Sequence, residues 1–436
     1  MTTTSTPSVL ILGGDLAGLT AAYRLASKGC RVTLADFAQT AVDPIEHLEF
    51  PPFSMLGCHH AAWALLRSTG IATSPNQWAE SSLEFLLPNG RLARYPRSLF
   101  PNPLHQVLTI SRFTGLSLNL RWKLLSWLEQ IWEGSLQLAT DLEHRTAQDW
   151  IISLNMDPAL ARTIWNPLAL WLTGCDLHRL SADAFVAALT PYFLAKAEDN
   201  RIHMPRFSWK DGVVRPIMDR IVQAGGTFLP ALKSVGLDYQ AERVTGVRFA
   251  DGSRLEADWY ISALAINRLT PLLPERWLSR YAYFQQITEL TTIPWTAIEI
   301  PVSTAIHRPR TILIGTGPIP LILCRPSSIG QGLSISLLRS GQENQDDLDQ
   351  VIAAALRTSN LPEPAKGFSE SIPRITTYHT LALFSGTKLK RPIQRSPISN
   401  LLVAGAWTDT GWPANLESAV VSGERCAEVI AGERQA

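Results

Sequence analysis

The stretch VLILGGDLAGLTAAYRLASKGCRVTLAD, Val9 to Asp36, decides how the rest of the chain is read. Val9 to Leu12 is an apolar run suited to a buried parallel strand, and Leu19, Ala22, Leu25 and Ala26 follow at helical spacing. A second apolar run, Arg31 to Leu34, ends just before Asp36. Strand, glycine turn, helix and strand in that order bring a helix N-terminus to the place where a dinucleotide pyrophosphate binds. Asp36 stands 23 positions after Gly13, near the reach of a ribose hydroxyl. Gly13 permits the tight turn and Gly18 lets the helix approach the strand. Asp15, however, occupies the position where the pattern wants no side chain. A carboxylate about 5 Å from a phosphate charge, at an effective dielectric near 20, repels by roughly 3 kcal/mol, on the order of a hundredfold in affinity.

Working outward, 436 residues with 46% hydrophobic content suffice for two domains with sizeable cores. The 39 basic and 38 acidic residues nearly cancel, so no global charge draws the chain to nucleic acid. Cys30, Cys58, Cys175, Cys324 and Cys426 are scattered, odd in number and without CxxC spacing. That pattern predicts a reducing compartment and no structural metal. The opening MTTTSTPS lacks the basic region of a signal peptide, and no apolar run reaches about 18 residues, so a cytoplasmic protein without a membrane-spanning helix is expected.

After the first unit, Pro44 to Ser54 reads as a loop, and roughly Leu104 to Ala197 as helical and tryptophan-rich. In RWKLLSWLEQIWEG, Leu124, Leu125, Trp127, Leu128, Ile131 and Trp132 share one face and Lys123, Ser126, Glu129, Gln130 and Glu133 the other. That polar face is net acidic, which points to burial against the protein rather than to a bilayer. In RYPRSLFPNPLHQVLTISRF, residues 94–113, Arg94, Arg97 and Arg112 flank a proline-interrupted apolar run suited to a bilayer surface, a lid or a core connection. From Gly212 the pattern returns to α/β, with a helix closed by Gly225 and Gly226, then SVGLDY, RVTGVRF and the apolar strand DWYISAL. Short apolar runs between Leu290 and Leu338 suit a mixed sheet. In the tail, the strand Leu401 to Ala404 ends at Gly405. Pro413 is expected as the first residue of a helix carrying Leu416, Ala419, Val420, Gly423, Ala427 and Ile430 on one stripe.

GGDLAGLTAAYRLASKGCRVTLAD, MLGCHHAAWALLRSTG, PNPLHQVLTISRF, WNPLALWLTGCDLHRLSADAFVAAL, ADGSRLEADWYISALA and above all LLVAGAWTDTGWPANLESAVVSG span nearly the whole chain. Together they resemble the FAD-dependent amine oxidase and phytoene desaturase superfamily, and within it the squalene-associated desaturase group, whose named activity is hydroxysqualene dehydroxylation. The resemblance implies an α/β, overall α+β, architecture: a Rossmann-like FAD-binding domain from residues 1–72, 203–270 and 390–436, with an inserted substrate domain of helices and a mixed β-sheet from 73–202 and 271–389. It implies FAD contacts at Gly13, Gly14, Asp15, Leu16, Ala17 and Gly18 for the pyrophosphate and at Asp36 for the adenosine ribose. Val235 would meet the adenine, Gly405 and Ala406 the ribityl chain, and Ala414, Asn415 and Leu416 the isoalloxazine end. The substrate it implies is a long isoprenoid of hydroxysqualene type in an apolar tunnel with tryptophan-rich walls and a membrane-facing mouth near Phe100 to Leu108. A carotenoid or isoprenoid desaturase, and a degenerate flavin-poor homologue acting as an isoprenoid-binding protein or partner subunit, are the alternatives.

The sequence departs from the family at Asp15 and Asp36, at Ala406 where aspartate is usual, in the Gly-Gly-Arg clamp region of Gln39 to Pro44, and in the Gly-x-His segment near Pro51 to Phe53. Asp36 is harmless, since either acid accepts ribose hydroxyls. An acid gained at Asp15 and one lost at Ala406 suggest compensation, with Asp15 bonding the ribityl or phosphate region; degeneration of the flavin site is the competing account. Dehydroxylation needs a proton donor near the leaving oxygen. His59, His60, His105 and His178 are the candidates, and no catalytic residue is assigned among them.

Overall fold

A computed structural model of the chain describes residues 6–36, 54–71, 77–97, 100, 104–132, 141–194, 196–207, 209–229, 232–302, 308–315, 317–326, 333–340, 348–361 and 374–433. The expected clamp region, Gln39 to Pro44, and the Pro51 to Phe53 segment lie outside the described residues.

The opening unit folds as its pattern dictates. β1 (Ser8–Leu12) leads through α1 (Leu16–Ala26) to β2 (Arg31–Ala35), and β1 pairs with β2 in parallel, Val9 opposite Val32. On its other side β1 pairs in parallel with the strand Trp259–Ser262, which pairs in turn with Leu401–Val403. Thr227–Leu229 lies beyond β2. Val9, Leu10, Ile11 and Leu12 are all buried, which is why the strand reads as an unbroken apolar run: both faces of the sheet are covered. The chain leaves β1 toward β2 and returns on the opposite side, so the carboxyl ends of β1 and Trp259–Ser262 form the switch point where open α/β sheets bind ligands.

A second, mixed sheet, of nine strands among the described residues, holds Thr292–Val302, Arg310–Ile314, Leu321–Pro326, Leu333–Ser340 and Arg374–Leu381 beside Trp78–Leu86. All its pairings are antiparallel except Arg310–Ile314 with Trp78–Leu86. Ile298, Ile300, Ile312, Ile322 and Leu337 cover one face together with Ile352 and Leu356 of the helix Leu348–Thr358. Met55–Leu56 and Ile202–Pro205 also pair within this sheet, so the stretch that leads into the next helix joins the second layer.

α2 (His60–Ser68) follows Met55–Leu56 directly. In the helical layer, α3 (Leu104–Arg112) buries His105, Gln106, Thr109 and Ile110, a core connection for that half of the arginine-flanked segment. α4 (Leu118–Trp132) buries Leu124 and Leu128 and packs Leu125 and Trp127 against the core, as its two-faced pattern requires. Tryptophans of this layer pack between helices edge to face: Trp127 against Trp165 with centroids 5.6 Å apart, Trp165 against Phe185, and Trp171 against Tyr192. All five cysteines are buried and none is in a disulfide. No group of histidine, cysteine and acid side chains suited to a metal occurs among the described residues.

The C-terminal helix, Leu416–Glu433, packs on α1. Gly423 makes the crossing close: a Cβ there would stand 2.4 Å from the Ala17 carbonyl oxygen and 2.9 Å from Thr20 Cβ. Gly432, near the end of the same helix, has open space around it. Gly423→Ala therefore overpacks the seam and is expected to cost about 1–3 kcal/mol, whereas Gly432→Ala is neutral or stabilising by up to about 1 kcal/mol. Urea midpoints of the two variants check the pair; equal effects would contradict the seam.

Candidate functional site

The turn after β1 is built on Gly13. Its φ is +103°, its N–H donates to the Ala35 carbonyl at 2.9 Å, and an added Cβ would lie 2.4 Å from the Ala263 carbonyl oxygen. Gly14 and Asp15 carry the chain into α1. Asp15 is the N-cap, its backbone extended and its carboxylate accepting the Gly18 N–H at 3.0 Å. The acid gained at this position thus serves as a helix cap. It fills, with a charge of its own, the anion place that the free N–H groups and dipole of a helix start create. Burial pushes the Asp15 carboxyl up to about 7, outweighing the Gly18 and Ala17 N–H groups that pull it down. Near neutrality the cap is therefore divided between its charged and neutral forms. Leu16, Ala17 and Gly18 are buried in the first helical turn.

Asp36 ends β2 with φ +57° and is 8% exposed. Its carboxylate accepts the Ser234 N–H at 3.0 Å, the Ser234 hydroxyl, and the Arg268 guanidinium at 2.8 and 3.0 Å. Val235 follows Ser234 at a register irregularity in the strand Ser234–Gln240 and is half-exposed. The fold thus brings Asp36 and Val235 together, 199 positions apart in sequence. It adds Arg268, for which the sequence held no signal beyond a lone basic residue in INRL.

The third segment turns at Gly405, φ +143°, where a Cβ would meet Trp407 Nε1 at 2.4 Å. Trp407 Nε1 is buried without a partner among the described residues. Ala406 is buried, and its carbonyl accepts from Arg391 at 2.9 Å and from the Ser418 hydroxyl at 2.9 Å. Arg391 also donates to the carbonyls of Thr408 and Trp412, so one cation gathers the whole turn. Sequence reasoning missed it, because most of these partners are backbone carbonyls. The helix begins at Leu416, three residues after the expected Pro413. Asn415 caps it, accepting the Ser418 N–H at 3.0 Å, while Arg391 holds the Trp412 carbonyl in the turn ahead of it. Ala414, Asn415 and Leu416 are all buried.

Glu417, in the first turn of that helix and 3% exposed, reaches across to α2. It accepts the Ala61 and Ala62 N–H groups at 2.8 and 2.9 Å, and burial raises its carboxyl despite those bonds. This fixes His59, immediately ahead of α2, beside the turn. A small cavity there is lined by Leu56, Cys58 and His59, by Leu172 and Ala188 of the helical layer, and by Trp412, Pro413 and Asn415. Burial holds the Cys58 thiol well above its usual range, reinforced by Asp199 and Glu417. The other candidate histidines lie elsewhere. His60 is exposed and pairs with Asp199 at 2.7 Å, His105 Nε2 contacts the Asn200 amide at 3.0 Å, and His178 is exposed.

The family model described as flavin containing amine oxidoreductase matches residues 46–431, and the chain belongs to that family. A zeta-carotene desaturase of Synechocystis sp. is 23% identical over 97% of this chain and 96% of its own length. A 15-cis-phytoene desaturase of Glycine max is 23% identical over 97% and 79%. Among solved structures, a variant of putrescine oxidase superposes with a TM-score of 0.72 at 15% identity, covering 98% of this chain and 99% of that one. An oxidoreductase from Methanosarcina mazei gives 0.69 at 14%, covering 97% and 100%. The protein is an FAD-dependent oxidoreductase of this family.

The residues present fit FAD. A helix start at a switch point, an acid ending β2 and an unpartnered indole N–H beside Gly405 suit phosphate, ribose and a polar chain in turn. The one conflict is the Asp15 charge, and a proton removes it. Since the folded-state value lies above that of a free carboxyl, the proton is held below about 7 and lost above it. FAD affinity is therefore expected to fall about tenfold from pH 6 to pH 8 in the wild type and to stay flat in Asp15→Asn. Quenching of FAD fluorescence across that range tests this; the same slope in the variant would contradict it.

Proposed function

We propose that this chain reduces a long isoprenoid alcohol of hydroxysqualene type to the hydrocarbon, squalene in the parent case. The observation that carries the reading is the apolar lining of the small cavity beside the turn ahead of the C-terminal helix. The cavity is walled by Leu56, Leu172, Ala188 and Pro413 and abuts Asn415 at the expected isoalloxazine end. Among the described residues no carboxylate or ammonium lines it, which disfavours an amine substrate and suits a hydrocarbon carrying little charge. In this reading Gly13 to Gly18 hold the pyrophosphate, Asp36 and Val235 the adenosine, Gly405 and Ala406 the ribityl chain, and Ala414 to Leu416 the ring end.

In the net reaction a C–O bond breaks, the oxygen leaves with a proton as water, and hydride takes its place at carbon. Reduced FAD supplies that hydride. The chain's part is orientation and exclusion of water: Arg391 and Asn415 hold the turn, Glu417 holds the facing wall, and the apolar lining keeps water from the reacting carbon. A second reading, desaturation of an isoprenoid with the flavin running in the opposite direction, is favoured by the named activities of the zeta-carotene and phytoene desaturases.

Access from a bilayer is part of the proposal. Phe100, Leu104, Leu118 and Trp122 are each more than half exposed at the ends of α3 and α4, near the exposed Arg112 and Lys123. That composition suits peripheral contact with an anionic membrane face, through Phe100 and Leu104 of the expected region, residues 94–113, and through Leu118 and Trp122 just beyond it in sequence. No helix among the described residues is long and apolar enough to cross a membrane.

Two measurements test this. Holoenzyme reduced with dithionite and given hydroxysqualene without oxygen is expected to form squalene; polyene formation from phytoene by the oxidised enzyme, with no squalene, would transfer the function to the second reading. In flotation with vesicles containing anionic lipid, Leu118→Ser/Trp122→Ser is expected to bind several-fold less than wild type. Equal flotation would remove this patch as the contact.

A further inference from the structure

Among the residues around that small cavity, one polar group has no work inside the protein. His59 is 2% exposed, and its Nδ1 accepts the Leu56 N–H at 3.3 Å. Because Nδ1 accepts, the ring proton sits on Nε2. Nε2 is buried and has no partner among the described residues. Leaving such a donor unpaired costs about 1–3 kcal/mol, a cost that a ligand acceptor would remove.

The surroundings say what kind of acceptor fits. Leu56, Leu172, Ala188 and Pro413 line the same cavity, and the Trp412 ring stands edge-on to the imidazole with centroids 6.1 Å apart. Cys58 stays a neutral thiol. The nearest acids are engaged: Glu417 accepts the Ala61 and Ala62 N–H groups, and Asp199 pairs with His60 and accepts the Lys196 N–H. A buried, unpartnered neutral N–H in a wall that is otherwise mostly apolar matches a ligand that is hydrocarbon except for one oxygen.

Resting on the isoprenoid reading above, we propose that His59 is the specificity-determining residue for an oxygen-bearing isoprenoid, its Nε2–H donating a hydrogen bond to the substrate hydroxyl oxygen. The imidazole remains neutral throughout this role, since burial and the neighbouring His60 lower its titration to about 3. It therefore holds the oxygen rather than protonating it, which removes His59 from the candidate general acids. A pure hydrocarbon of the same shape leaves the donor unpaired, and a buried site built to bond a hydroxyl rejects the analogue that lacks it. His59 thus separates this chain chemically from an enzyme acting on a carotene.

The test is ligand binding to the oxidised holoenzyme, followed by perturbation of the flavin absorbance and by equilibrium partition of radiolabelled lipid, with hydroxysqualene and squalene as probes. Wild type is expected to favour the alcohol by about tenfold or more. His59→Phe, which keeps an apolar ring of similar size, should bring the two within about twofold, weakening the alcohol and tightening squalene. His59→Gln restores a donor and should recover part of the preference. Unchanged flavin content and thermal midpoint in the variants show that the fold is intact, and a merely structural histidine would alter both lipids alike. An absent preference in wild type, or one that survives in His59→Phe, overturns the proposal. Failure of both lipids to bind wild type overturns the isoprenoid reading as well, so the two failures are told apart.

Discussion

The carboxylate of Glu417 across the start of α2 is the interaction on which the site depends. It is buried, it accepts two backbone N–H groups of a helix from another part of the chain, and it stands two residues after Asn415. Through it, the turn ahead of the C-terminal helix and the turn that carries His59 become one unit. A carboxylate at a helix N-terminus is favoured by the dipole and by the free N–H groups it satisfies, but the desolvation it suffers makes the arrangement costly to break. Arg391 performs the complementary task from the other side, gathering the carbonyls of Ala406, Thr408 and Trp412. One anion takes up backbone donors and one cation backbone acceptors, and the segment between them has little freedom left.

The same physics, with a different outcome, governs α1. There the helix start is meant for a ligand's phosphates, yet Asp15 of the chain itself occupies it. The desolvation that lifts the Asp15 carboxyl to about 7 is what reconciles the two uses. A neutral acid can cap the helix without repelling a pyrophosphate, so a proton on Asp15 would let this helix start hold the phosphates of a cofactor. At the far end of β2, Asp36 is tied to Arg268 and Ser234, so a ribose hydroxyl would join an existing set of bonds instead of meeting a free carboxylate.

Much of this was legible in the sequence. The βαβ unit was readable because a parallel strand buried on both faces leaves an unbroken apolar run, and because Gly13 marks a turn that a side chain would block. The switch from helical to α/β patterning located the strands Ser234–Gln240, Arg243–Phe249 and Trp259–Ser262 within a residue or two. What escaped were contacts made to backbone atoms or between distant segments. Arg391, Arg268 and Glu417 look like ordinary surface charges in sequence, since no spacing rule links them to partners that are carbonyls, amides or side chains far along the chain. The start of the last helix was misplaced at Pro413 because proline preference was weighed without the asparagine cap two residues later. His59 was visible as a residue, but its burial and unpaired nitrogen arise only when α2 docks on the C-terminal helix.

The most direct measurement is flavin stoichiometry: the visible spectrum of freshly purified protein, with flavin quantified after denaturation and again after incubation with excess FAD at pH 6. The account predicts close to one flavin per chain after incubation, because protonated Asp15 caps α1 without opposing the pyrophosphate. No flavin as purified and no uptake at pH 6 would contradict it, and would mean that the carboxylate at the start of α1 has closed the cofactor site.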